Sequence, residues 1–256
     1  MSPPLPPPEK GAAWITGASS GIGRALALAL AKEGWPVAAS ARGRAGLEDL
    51  SRAGAGRIAP CPLDVSDRAA VKDSLAAVER VAGPVHLAIL GAGAYNPMNA
   101  SSLDSAEFAR QIEVNLTGLV NCLAELLPGM MNRGTGRIAL LSSPSGYRGL
   151  PNNAAYGPAK AAVTNLAESL KFDLDRAGVD IRVVHPGFVR TPMTDKNNFR
   201  MPFLMEPDEA AARILSGLAG TRFEIAFPRR LIWPMKCLRL LPDRLYFPAI
   251  RRITGQ

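Results

Sequence analysis

Short, largely apolar runs alternate with longer runs of helical spacing along most of the chain. AAWIT (12–16), PVAASA (36–41), RIAPCPL (57–63), VHLAILGAG (85–93), GRIALLSS (136–143), DIRVVHPG (180–187) and RFEIAF (222–227) read as strands. Helical segments stand between several of them, at 23–34, about 67–82, 104–127, 154–177 and 207–220. A strand without a polar face must be covered on both sides, as the strands of a parallel sheet are. The pattern therefore predicts an α/β fold: one doubly wound parallel sheet of about seven strands, with helices on both faces. No repeat or long linker divides the 256 residues. One domain is expected over 10–227, preceded by a flexible proline-rich arm at 1–9 and followed by a basic tail at 228–256.

The turn after the first strand narrows the reading. TGASSGIG (16–23) follows strand one directly and opens the first helix. Gly17, Gly21 and Gly23 let the backbone pass close to a pyrophosphate, and the helix behind them offers free N–H groups. Ser19, Ser20 and Ile22 lie in the same turn. In a strand–turn–helix setting this points to a dinucleotide. An acidic residue closing strand two would favour NAD through the ribose hydroxyl. Here that strand ends in Ser40, Ala41 and Arg42, without a carboxylate. Arg42, helped by Ser40 or Arg44, can pair with a 2′-phosphate, so NADP(H) is the preferred cofactor and NAD(H) the alternative. Asp64, followed by Val65, is placed for the adenine amino group, and Asp67 reads as a helix N-cap.

A second cluster lies in SSPSGYRGLPNNAAYGPAK (142–160). Tyr156 and Lys160 are four residues apart, which on a helix puts both side chains on one face. Ser143 precedes them by thirteen positions. TGASSGIG, LDV (63–65), Asn115 in VNLTG, Ser143, YGPAK (156–160) and HPGFVRTPM (185–193) occur in the order found in short-chain dehydrogenases/reductases. The chain resembles the single-domain, NADP(H)-preferring members of that family over about residues 10–227. The resemblance implies a Rossmann-type sheet and an oxidoreductase that interconverts a carbonyl and an alcohol. It implies Tyr156 as proton donor or, ionised, as base. It gives Ser143 to the substrate oxygen and Lys160 to the nicotinamide ribose and the lowering of the tyrosine pKa. Asn115 would anchor a water, and the loop of Pro186, Gly187, Val189 and Thr191 would close beside the nicotinamide. Tyrosine titrates near 10, so a shift of about three units needs on the order of 4 kcal/mol of differential interaction. The chain departs from the family where NNAG becomes LGAG (90–93): Gly91, Ala92 and Gly93 keep room beside the cofactor, but a compensating contact must replace the asparagines. Pro144, after the serine, has no N–H to offer an oxyanion.

Strand-end loops supply the substrate wall in such a fold. They point to Tyr95, Pro144, Ser145, Tyr147, Leu150 and Phe188, with 194–205 as a mobile lid. This wall is apolar and aromatic, so a lipophilic carbonyl compound or alcohol is expected. The alternative is a cofactor-sensing or membrane-docking protein with little activity. A homodimer or homotetramer through the helices at 104–127 and 154–177 is implied by resemblance.

Composition sets the remaining limits. The three cysteines and two histidines lack metal-ligand spacing, so no metal is expected. No run of about 18 apolar residues appears, so no segment is expected to span a bilayer. The start of the chain lacks the apolar core of a secretory signal, making the cytoplasm the expected compartment. The formal charge is +8, and residues 222–256 carry eight basic side chains against Glu224 and Asp243. That basic, aromatic-rich stretch fits the domain, a partner subunit, or the inner, anionic face of a membrane. No nucleic-acid-binding motif accompanies the charge, so nucleic acid is not an expected partner.

Overall fold

The computed structural model describes residues 11–255; the proline-rich arm lies outside the described residues. The strands are β1 (Ala12–Thr16), β2 (Val37–Ala41), β3 (Ile58–Pro62), β4 (Val85–Leu90), β5 (Gly136–Leu141), β6 (Val179–Pro186) and β7 (Glu224–Phe227). They form one parallel sheet in the order β3-β2-β1-β4-β5-β6-β7. Alternate side chains of β1 serve different cores, as the pleat requires. Ala13 and Ile15 pack with α1 (Gly21–Lys32), α2 (Arg44–Ala53) and α7 (Pro207–Ala219). Trp14 packs on the other face with α3 (Arg68–Ala82), α5 (Gly118–Arg133) and α6 (Tyr156–Arg176).

Local chemistry sets several of these boundaries. Asp67 caps α3 by accepting a hydrogen bond from the Ala70 N–H at 3.0 Å. Pro207 opens α7 at its first turn, where its missing N–H is harmless. The expected helix at 104–127 is instead α4 (Ser105–Ile112), a π turn at Glu113–Thr117, and α5, which runs through Pro128 to Arg133. Residues 105–133 are long and apolar enough to cross a bilayer by length and composition. Leu119, Cys122, Leu123, Leu126 and Met130 are nevertheless buried against the sheet, as in a core helix.

Two differences from the sequence reading concern helices. α2 fills a stretch given no element, and its buried Leu47 and Leu50, three apart, carried the signal. The tail, also given no element, is two helices, α8 (Arg229–Arg239) and α9 (Asp243–Thr254). Pro228 and Pro242 stand at the N-caps, where no helical N–H is needed. Pro234 and Pro248 lie inside the helices and cost each one backbone hydrogen bond.

Candidate active site

β1 and β4 are adjacent, but the helices that follow them cover opposite faces of the sheet. Their C-terminal ends therefore diverge into a crevice, the usual ligand position in a doubly wound sheet. A cleft of about 390 Å³ opens there. Gly17, Ser19, Ser20, Gly21, Ile22 and Gly23 line it, facing Gly91, Ala92 and Gly93. Arg42, Asp64 and Val65 join from the β2–β3 flank, Tyr156 and Lys160 from the β5–α6 flank.

The glycine turn fits a pyrophosphate. Gly17 has φ +74°, and a Cβ there would lie 2.7 Å from the Gly91 carbonyl oxygen. Gly21 has φ +53°, with the Thr191 methyl 2.6 Å from its virtual Cβ. α1 opens with no side-chain cap and no acidic residue in its first turn, whereas α3 and α4 are capped by Asp67 and Asp104. Its N–H groups and positive dipole end are left for an anion. At the LGAG stretch the Thr16 hydroxyl accepts from the N–H groups of Gly91 and Ala92, at 3.0 and 3.2 Å. That oxygen ties the ends of β1 and β4 together.

On the β2 flank Arg42 is exposed at the cleft edge. Asp64 accepts from the Ser66 hydroxyl and N–H at 2.6 and 3.0 Å. The Ser66 hydroxyl, and more weakly the Arg42 charge, hold its carboxyl below the usual range despite partial burial. Ser40 is fully buried, and its hydroxyl accepts from the Trp14 indole at 2.9 Å. Pro186, Thr191, Pro192 and Met193 close the wall. The last two close the HPGFVRTPM motif but were not singled out in the sequence. Gly187 and Val189 lie behind that wall: the Gly187 N–H donates to Phe227, and Val189 is bridged to Met205.

Tyr156 is the first residue of α6 and Lys160 lies one turn on, so the four-residue spacing does put them together. The ammonium sits 5.5 Å from the Tyr156 ring centroid. Lys160 is buried, and its Nζ donates to the Leu141 carbonyl at 2.9 Å. Burial lowers the Lys160 pKa to about 8. Burial raises Tyr156 to about 12, while the neighbouring Ser143 hydroxyl pulls the other way. Within the chain itself, loss of water is the largest influence on this hydroxyl. Ser143 caps the short turn Pro144–Gly146, accepting from the Ser145 N–H at 3.2 Å, which fixes its hydroxyl at the strand end. Asn115 sits buried in the π turn, a frequent irregularity at functional sites. Its amide group is held by Ala94 N–H and carbonyl and by the Gln111 carbonyl.

The expected substrate residues divide. Tyr95 packs edge-on to Tyr156 at 5.1 Å, and its hydroxyl donates to Asn197 at 3.0 Å. Lys196 donates to the Tyr95 carbonyl and Asn96, so the 194–205 segment is latched to the loop after β4. Phe188 meets Phe199 of that segment at 5.7 Å. Pro144 is buried, and Ser145 and Leu150 are partly exposed on the same loop. Tyr147 turns elsewhere: its hydroxyl donates to Glu224 at 2.6 Å and its ring lies 4.7 Å from His185. Glu224 also meets Lys236 and His185 Nδ1, the latter at 3.1 Å. Burial would raise this carboxyl, but those three neighbours outweigh it and hold it at about 2. His185 Nε2 and Thr164 are 3.0 Å apart, and Thr164 donates to the Lys160 carbonyl. This chain of polar groups was missed, although a lone glutamate in the apolar run RFEIAF marked its centre. A second hollow, about 530 Å³, lies between Phe203–Met205, α7 and the start of α8 and contains none of the catalytic candidates.

The family profile described as short chain dehydrogenase matches residues 11–201. The chain belongs to the short-chain dehydrogenase family. An uncharacterized oxidoreductase of Myxococcus xanthus is 37% identical over 244 residues, covering 94% of this chain and 96% of the relative. The solved short-chain dehydrogenase of Streptomyces avermitilis superposes with a TM-score of 0.82 at 26% identity, covering 95% and 98% of the two chains. An actinorhodin polyketide ketoreductase solved with NADPH superposes at 0.77 with 28% identity, covering 89% and 97%. This short-chain dehydrogenase is therefore an oxidoreductase that acts on a carbonyl or alcohol with NAD(P), on a Rossmann-type sheet. Members of the family act on small molecules and commonly oligomerise.

Proposed function

We propose that the enzyme is an NADP(H)-dependent reductase of lipophilic ketones or aldehydes, with Tyr156 as the proton donor. The observation that carries this reading is that Tyr156 and Lys160 line the cleft that the glycine turn opens, with the Ser143 hydroxyl hydrogen-bonded to Tyr156. NADPH, when bound, supplies the hydride. Gly17 to Gly23 and the start of α1 receive its pyrophosphate, and Arg42 its 2′-phosphate. The exposed guanidinium on the β2 flank, with no carboxylate closing that strand, supports NADP(H) over NAD(H).

The protein's part is positional and acidic. Ser143, oriented by its cap, donates to the substrate oxygen. Tyr156, still protonated at neutral pH, delivers its proton to that oxygen as negative charge develops. Lys160, while charged, stabilises the phenolate left behind. Tyr95, Phe188, Phe199 and Leu150 offer an apolar approach, which supports a lipophilic substrate. Exposed Val120 and Met131 on α5 and Phe172 on α6 support a dimer or tetramer through those helices.

A panel of ketones and aldehydes, assayed with NADPH and NADH, tests the reading. Tyr156→Phe is expected to lose about 10³-fold in turnover; undiminished turnover ends the assignment of the proton donor. Arg42→Ala is expected to weaken NADPH by about tenfold or more and leave NADH nearly unchanged. Equal loss for both cofactors defeats the 2′-phosphate role.

A further inference from the structure

α8 and α9 present an unusual outer surface. α8 buries Ile232 and exposes Arg230, Trp233, Pro234, Cys237 and Leu240, positions that share one face. α9 buries Tyr246 and Ile250 and exposes Arg244, Phe247, Pro248 and Arg251 on one face, with Leu245, Arg252 and Ile253 beside it. Five of the twelve exposed large apolar side chains of the described residues, Trp233, Leu240, Leu245, Phe247 and Ile253, lie on these two helices. Burying nothing, they gain from a partner with an apolar layer.

The charge around them decides which partner. Residues 228–256 carry seven basic side chains and one acidic one, Asp243. Lys236 is taken by Glu224 and Asp243 by Arg148. Arg229, Arg230, Arg239, Arg244, Arg251 and Arg252 have no carboxylate partner among the described residues. A second copy docked isologously would set these arginines against one another. A nucleic acid would match the arginines but not Leu240, Leu245 and Ile253. An anionic bilayer matches both, with arginines at phosphate depth and tryptophan, phenylalanine and leucine at the acyl boundary. The face is rigidly carried. Arg148 donates to the carbonyls of Arg239 and Leu241 and stacks 3.8 Å over the Tyr246 ring, and the Tyr246 hydroxyl donates to Gly149.

We propose that α8 and α9 form a peripheral docking face for an anionic lipid bilayer. The test uses the full chain with vesicles of phosphatidylcholine alone and of phosphatidylcholine mixed equally with phosphatidylglycerol. Co-sedimentation is expected to be at least about tenfold greater with the anionic vesicles, and to fall as salt rises. Tryptophan emission should shift to the blue on binding. Trp14 and Trp35 are buried and Trp233 is 64% exposed, so the shift belongs to Trp233 and disappears in Trp233→Phe while binding persists. The triple variant Arg230→Glu, Arg244→Glu, Arg251→Glu should lose vesicle binding and keep turnover of a water-soluble carbonyl. No binding by the parent chain, equal binding to neutral vesicles, or unchanged binding by the folded triple variant overturns the proposal. So does a concentration-dependent Trp233 shift without lipid, which would mark self-association, or retention on nucleic acid without vesicle binding.

Discussion

Strands β5 and β6 carry buried charge at both ends, and the two ends are built differently. Near their N-terminal ends, Arg137 and Arg182 converge on Asp180, at 2.5 and 2.8 Å. The same guanidiniums donate to the carbonyls of Leu218 and Gly217, in the last turn of α7. There the helix offers the negative end of its dipole, so two cations on one carboxylate are still compensated. Near the C-terminal ends, Lys160 is also buried, and its ammonium meets the Leu141 carbonyl and the Tyr156 ring but no carboxylate among the described residues. One end neutralises its charge and is inert. The other leaves a cation bearing the cost of burial, which lowers its pKa to about 8.

Lys160→Met is the change expected to separate the ends most sharply. Without the amine, carbonyl reduction should fall by about 10³-fold, read as kcat/KM. Stability should move the opposite way. Lysine buried with a pKa of about 8 instead of 10.5 binds fewer protons than in the unfolded chain between those values. The parent therefore gains stability as pH rises from about 8 to 10.5, and below 8 it bears the full penalty, about 3 kcal/mol. Denaturant unfolding of Lys160→Met should show no such rise and a higher stability at pH 7. A variant less stable than the parent at pH 7 would mean that this lysine is compensated after all.

Asp180→Asn probes the other end. Two buried guanidiniums would lose their counter-charge, at a cost of about 3–5 kcal/mol, while the folded fraction keeps its turnover. A loss below about 1 kcal/mol would show that the α7 carbonyls suffice alone. Glu224 stands between the extremes: half-buried, and held at about 2 by His185, Lys236 and Tyr147 against the pull of burial. Its folded pKa is depressed, so the stabilisation is present above about 4.5 and lost as pH falls toward 2. Glu224→Gln should cost about 1–2 kcal/mol at pH 7 and flatten the acid limb of the unfolding profile. An unchanged acid limb would place the sensitivity elsewhere.

What the sequence made legible was local or periodic. The sheet followed from apolar runs, the dinucleotide turn from three glycines between a strand and a helix, and the Tyr156–Lys160 pair from one helical turn. What stayed hidden depends on contacts between distant positions. Thr16 bonds the backbone of Gly91 from 75 residues away, and Tyr147 finds Glu224 across 77. No pattern within either segment announces the other. The burial of Tyr156 was hidden for a related reason: a neighbouring amine can be counted in a sequence, but the depth of burial cannot. The tail helices were hidden by their four prolines, two of which stand at helix starts and two inside the helices.

Arg148 belongs to the loop that follows Ser143, yet most of its bonds reach the last two helices. The far end of the polypeptide is thus fastened to the doorway of the reaction chamber. A handle fused behind α9 would tug on that doorway. Preparations with and without it should differ in Michaelis constant before they differ in anything else.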